Sequence, residues 1–173
     1  MSLQELREQI PDFARDIKLN LEALLSPEGV PGLSPSQTSA IALACAYAVK
    51  ELDLASAIKS DFGVAEEVDT AAKGAAAIMA MNNVYYRSMH LIDDKEITKL
   101  PAKLRMNIIG KPGIEKVDFE LMSLAVSAIS GCGMCLNAHI HEVRTYGITN
   151  EGVHSAVRIA SVVNATRQAL SVK

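Results

Sequence analysis

Ser34-Pro35-Ser36-Gln37-Thr38-Ser39-Ala40-Ile41-Ala42-Leu43-Ala44-Cys45-Ala46-Tyr47-Ala48-Val49-Lys50 reads as the start and body of an α-helix. Ser34 is an N-cap whose hydroxyl can take up a free backbone N–H of the first turn. Pro35, at the first helical position, has no N–H to leave unpaired, and Gln37 completes a capping box. Alanines then carry the helix to about Lys50. The same signals recur on both sides. Upstream, Ser2 and Glu5 fit a second capping box, followed by Leu3, Leu6, Ile10, Phe13, Ile17, Leu21 and Leu24, with Pro11 kinking or restarting the segment. Ser26-Pro27-Glu28-Gly29-Val30-Pro31-Gly32 breaks it. Downstream, helices are predicted over Leu52–Asp61, about Glu66–His90, Pro101–Met106, Asp118–Ser130, Cys132–Tyr146 and Thr149–Ser171. Asp93–Lys99 reads as a turn and Asn107–Gly113 as a loop. Gly63, Gly131 and Gly147 stand where helices should stop. No segment alternates with a period of two, so the expected fold class is all-α.

The 173 residues fit one domain, 1–173, large enough to bury a core. Apolar residues make up 49% but aromatics only 4%, which suits close-packed helices over an aromatic-centred sheet. A net charge of −3 with no basic stripe or aromatic platform argues against nucleic acid as a partner. The N-terminus lacks the blocks of a signal peptide, and no apolar run reaches the ~20 residues that span a bilayer. The expectation is a cytoplasmic protein without a membrane partner. Three cysteines there do not make a disulfide framework, so a CxxC is read as catalytic or metal-binding.

That CxxC lies in Cys132-Gly133-Met134-Cys135-Leu136-Asn137-Ala138-His139-Ile140-His141. On one helix, Cys132, Cys135 and His139 form a single stripe. A thiol is a good nucleophile only as thiolate, and a nearby base or cation supplies that state. Cys132, just after Gly131, sits where the helix dipole favours a thiolate, whereas Cys135 has His139 four residues on to take its proton. Dipole reasoning thus favours Cys132 as the ionised sulfur, and the histidine spacing favours Cys135. Glu120, in the first turn of the preceding helix, stabilises that helix end or else meets His139 across an antiparallel helix pair. Zinc is the competing reading: Cys132, Cys135 and His139 as three ligands, with His141 or Glu142 as a fourth. No second ligand pair accompanies them, as structural zinc usually requires. In that alternative the chain is a zinc-binding structural or interaction module. Tyr85, Tyr86 and Arg87 read as packing or pairing residues, His90 and His154 as structural, and Ile78-Met79-Ala80-Met81 as core or subunit contact. Setting Ser34–Lys50 beside Val117–Gly133 pairs Gln37 with Glu120 and Ile41 with Leu124, a faint internal repeat whose first copy has only the lone Cys45.

Val117-Asp118-Phe119-Glu120-Leu121, followed by Ala125-Val126-Ser127-Ala128-Ile129-Ser130-Gly131-Cys132-Gly133-Met134-Cys135-Leu136-Asn137-Ala138-His139, resembles the alkylhydroperoxidase D (AhpD) family. That family lies within the wider group that includes carboxymuconolactone decarboxylases. The likeness is close over the redox half, about 114–173, and looser elsewhere, through Met81-Asn82-Asn83-Val84-Tyr85-Tyr86-Arg87. The resemblance implies an all-helical AhpD-like fold with an internal pseudo-repeat, assembled as a homotrimer. It implies an antioxidant thiol peroxidase, an alkyl hydroperoxide reductase partnered by an AhpC-like peroxiredoxin. Cys135 would attack peroxide, Cys132 would resolve it, and Glu120 and His139 would relay protons. No organic cofactor is bound in such a cycle. Electrons would come from a dihydrolipoyl group on the lipoylated acyltransferase of a 2-oxoacid dehydrogenase, with Cys132 as the sulfur an external dithiol reaches. One departure is Met134, where some members carry a further relay histidine. A decarboxylase-type reaction on the same scaffold would not use the thiols, and the CxxC argues against it.

Overall fold

In the computed structural model, which describes residues 1–26 and 28–172, the predicted caps set the first elements. Pro27, within the expected break, lies outside the described residues. The Ser2 hydroxyl accepts from the Glu5 N–H at 3.2 Å and the Glu5 carboxylate accepts from the Ser2 N–H at 2.7 Å, opening α1 (Leu3–Glu8). Pro11 then forces a restart through a 3-10 turn, Asp12–Ala14, into α2 (Arg15–Leu24). Ser34 and Gln37 repeat the reciprocal cap at α3 (Pro35–Ala48). After it come α4 (Leu52–Phe62), α5 (Glu66–Leu91), α6 (Lys95–Thr98), α7 (Asn107–Gly110), α8 (Lys116–Ser130), α9 (Gly133–Thr145) and α10 (Asn150–Ser171). The described residues hold no strand, and the all-α expectation is met. None of the described helices is long and apolar enough to cross a membrane.

Two helices form the centre. In α3 every residue from Thr38 to Ala46 is buried, and in α8 every residue from Phe119 to Ser127. A helix apolar on all sides belongs inside a bundle, and the small side chains of α3 let its neighbours come close. α3 and α8 pack on each other, with α5 and α10 against both. Gln37 donates to Asp118 at 2.9 Å, tying their first turns together. Around this centre the chain runs α3–α4–α5, of 14, 11 and 26 residues, and later α8–α9–α10, of 15, 13 and 22 residues.

Away from the centre, Asp69 of α5 is fully buried yet charged. It accepts from Lys59 at 2.6 Å, from Lys73 at 2.7 Å and from the Tyr47 hydroxyl. Burial alone would raise its pKa, but these three donors overcome that and hold it at about 2. Gly32 docks the loop before α3 onto α10: its φ is +80°, and Gly152 and Thr149 leave no room for a Cβ.

The structure departs from the expected elements in one region. Asp93–Lys99 is a helical turn, α6, because the Asp94 side chain caps it by accepting from the Glu96 and Ile97 N–H groups at 2.9 and 3.4 Å. The helix expected at Pro101–Met106 is absent, and Lys103 there adopts a left-handed φ of 49° that no α-helix accommodates. The helical turn falls instead on Asn107–Gly110, in the expected loop, where Ile108 and Ile109 pack on the core. Ile108 seats against Gly74 of α5, in space a Cβ there would occupy. Tertiary docking of two isoleucines decides this segment, and local signals do not report it.

Candidate active site

Gly131 ends α8 in the left-handed conformation, at φ 66°, and Cys132 follows in extended geometry as the N-cap of α9. Cys132 therefore sits one residue before the helix, where the stripe argument had put it in the first turn. Its Sγ accepts from the Cys135 N–H at 3.3 Å, which folds the sulfur inward over its neighbour. The two sulfurs lie at bonding distance as a Cys132–Cys135 disulfide, with Cα atoms 5.3 Å apart. Cys132 is wholly buried, while Cys135 keeps 6% of its surface and lines a cavity. Of the two sulfur-bearing residues, Cys135 is the one that lines the cavity. The remaining cysteine, Cys45, is buried in α3, where burial pushes its thiol pKa up and keeps it unreactive.

The antiparallel pair α8–α9 brings Glu120 and His139 together, as the functional reading of Glu120 required. Glu120 Oε2 lies 2.6 Å from His139 Nδ1, with the residues only 4% and 8% exposed. A carboxylate can only accept, so Nδ1 carries the proton and Nε2 is the nitrogen left to do chemistry. Nε2 faces the thioether of Met79 at 3.3 Å and the same cavity that Cys135 lines. With its proton on Nδ1, His139 makes its hydrogen bond to Glu120. The Nε2–Met79 approach joins two acceptors and is a contact only, and no described hydrogen bond links His139 to Cys135. Cys135 Sγ has its own polar neighbour, the Asn82 carbonyl oxygen at 3.9 Å.

The cavity is about 380 Å³, its far wall apolar from Met106 and Ile109. At its edge Lys116 and Glu142 pair at 2.6 Å, and this hydrogen bond lowers the Glu142 pKa and raises that of Lys116. Met134, the departure noted above, is 44% exposed at the rim. Glu142 is thus held by a lysine, and His141 is exposed. Among the described residues no group of three or more His, Cys, Asp or Glu side chains is placed to hold a metal ion, with Cys132 and Cys135 joined to each other. His90 and His154 are exposed. Arg87 of α5 pairs with another helix: it donates to the Ser130 carbonyl at 2.7 Å, securing the end of α8 just before the CxxC.

Sequence reasoning missed the wall contributed by α5. Met79, Asn82 and Tyr86 fall at i, i+3 and i+7 and line the cavity together. The available signal was an asparagine on the face that otherwise carries core residues. Lys116 was also missed.

Residues 95–172 match the sequence model of the Carboxymuconolactone decarboxylase family, a span that contains Glu120, Cys132, Cys135 and His139. Over nearly its whole length the chain is similar to proteins named alkyl hydroperoxide reductase AhpD. That of Hyphomonas neptunium is 51% identical, with 99% of this chain and 94% of the relative covered. That of Rhodospirillum centenum is 48% identical, with 98% and 91% covered. That of Coxiella burnetii is 48% identical, with 96% and 95% covered.

Proposed function

The chain belongs to the alkyl hydroperoxide reductase AhpD family, and from that premise we propose that it reduces alkyl hydroperoxides by cycling Cys132 and Cys135 between dithiol and disulfide. The observation that carries the reading is a single cavity containing the less buried sulfur, Cys135, and a buried Glu120–His139 pair. In the reduced protein, His139 Nε2 takes the Cys135 proton through a water in the cavity, and the Glu120 carboxylate balances the resulting imidazolium. The thiolate attacks the terminal peroxide oxygen. The O–O bond breaks, the alkoxide leaves and collects the proton from His139, and Cys135 becomes a sulfenic acid. Cys132 then attacks the Cys135 sulfur; water departs and the disulfide forms. The sulfurs lose two electrons and the peroxide gains them.

The N-cap position of Cys132 suits the resolving role. Its sulfur is bonded to Cys135 in this structure, the state that the resolving step would leave. For the return step, an incoming thiolate meets the cavity-facing Cys135 sulfur first and releases Cys132. A dihydrolipoyl group, two thiols on a flexible aliphatic arm, matches an opening with an apolar wall. Electrons would then come from a lipoylated acyltransferase of a 2-oxoacid dehydrogenase, and no bound organic cofactor is needed. An AhpC-like peroxiredoxin is the proposed partner disulfide, the homotrimer the proposed assembly, and the cytoplasm, where thiol donors stay reduced, the proposed location. The test is turnover of cumene hydroperoxide with dihydrolipoamide by wild type and by Cys135→Ser. The variant should be inactive; undiminished turnover would sink the reading.

A further inference from the structure

We propose that Asn82 is a further catalytic residue: its side-chain amide donates a hydrogen bond to the leaving oxygen of the bound peroxide. The inference rests on the hydroperoxide reading above and gives the substrate one of the two neutral hydrogen-bonding side chains on the cavity wall, Asn82 and Tyr86. Asn82 lies on α5, lines the cavity and is only 5% exposed. Its Oδ1 is buried without a partner, and among the described residues neither end of the amide makes a hydrogen bond. Burying an amide oxygen without a partner costs about 1–3 kcal/mol, so an oxygen left in that state calls for an explanation. Its neighbour Asn83 is half paired: Oδ1 accepts from the Ser127 hydroxyl at 2.9 Å, while its Nδ2 is buried without a partner, away from the cavity lining.

Position supplies the explanation. The Asn82 backbone carbonyl oxygen is 3.9 Å from Cys135 Sγ, and both residues line the same cavity. Among the other polar side chains around the cavity, Glu120 pairs with His139 and Lys116 with Glu142, and the Tyr86 hydroxyl donates to the Met106 sulfur at 3.9 Å. Rotation about the Cβ–Cγ bond lets the amide offer either its donor or its acceptor to an occupant. When the thiolate forms its bond to the terminal oxygen and the O–O bond breaks, negative charge gathers on the departing oxygen until His139 protonates it. An N–H turned toward that oxygen, from a residue only 5% exposed, is worth most at that instant.

The experiment separates peroxide chemistry from thiol reactivity in wild type and Asn82→Leu. Oxidation of the reduced protein by cumene hydroperoxide is followed by stopped flow. Alkylation of Cys135 by iodoacetamide, which needs the thiolate but no departing oxyanion, is followed by mass. The inference expects peroxide oxidation to fall about 10- to 100-fold while alkylation stays within about twofold. An equal fall in both rates, or none in either, overturns it. Asn82→Ala, which only removes atoms, carries the same comparison should the leucine variant misfold. A wild type that is alkylated normally but ignores the peroxide would overturn the functional reading instead.

Discussion

Replacing Glu120 by glutamine tests the proton relay with the smallest change of shape. The Glu120–His139 contact is 2.6 Å and both residues are more than nine-tenths buried, so solvent does little to screen it. A hydrogen bond to a charged partner contributes about 1.5–3 kcal/mol. Coulomb attraction between unit charges about 4 Å apart is of the order of 4 kcal/mol at an effective dielectric of about 20. Glutamine still accepts from Nδ1–H and fills the same volume, so only the charged part is lost. That loss is about 2–3 kcal/mol, or roughly 30- to 150-fold in the rate at which reduced protein consumes peroxide. Stopped-flow measurement of thiol oxidation reads it, with circular dichroism confirming that the helices persist. Above about pH 9 a free thiol ionises unaided, so the gap between variant and wild type should narrow there. Rates within threefold of wild type at pH 7, in a folded variant, would refute the relay.

Two further perturbations probe the scaffold. Because Asp69 is held at about 2, its charged form contributes about 2–3 kcal/mol of stability that is fully present above pH 4 and lost as pH falls toward 2. Asp69→Asn should therefore cost that much in urea unfolding at pH 6 and much less at pH 2.5; a cost equal at both pH values would contradict the assignment. Gly32→Ala must adopt φ +80° with its Cβ 2.8 Å from Thr149 Oγ1 and 2.9 Å from Gly152 Cα, whereas Gly63→Ala, at φ +59°, meets nothing within 4 Å. The second should lose about 1 kcal/mol and the first at least twice that by chemical denaturation, and equal losses would show that the loop simply moves aside.

The legible parts of this chain were those whose signals are local. Ser2, Ser34 and Thr149 cap helices through their own first turns, and Gly63, Gly131 and Gly147 all take positive φ. The spacing of Cys132, Cys135 and His139 placed three site residues, and the helix–turn–helix geometry around Gly131 brought Glu120 to the fourth. What stayed hidden depends on contacts distant in sequence. Met79 reads as core because it is core, fully buried, and only the fold shows that its sulfur faces His139. Asn82 lies 53 residues from Cys135, and no periodicity links them. The misplaced turn between Pro101 and Gly110 has the same origin, since Gly74, which makes room for Ile108, belongs to another helix. The burial of Cys132 turned on a single residue, its place at the cap instead of inside the first turn.

The most direct test of the central claim is a count of free thiols in the denatured chain, with intact mass, before and after one equivalent of cumene hydroperoxide. The chain has three cysteines, and the account predicts a fall from three thiols to one, Cys45 alone surviving. The mass should drop by about two hydrogens, and dihydrolipoamide should restore both. Three thiols remaining after peroxide, or loss of Cys45 in place of the Cys132–Cys135 pair, would contradict the account.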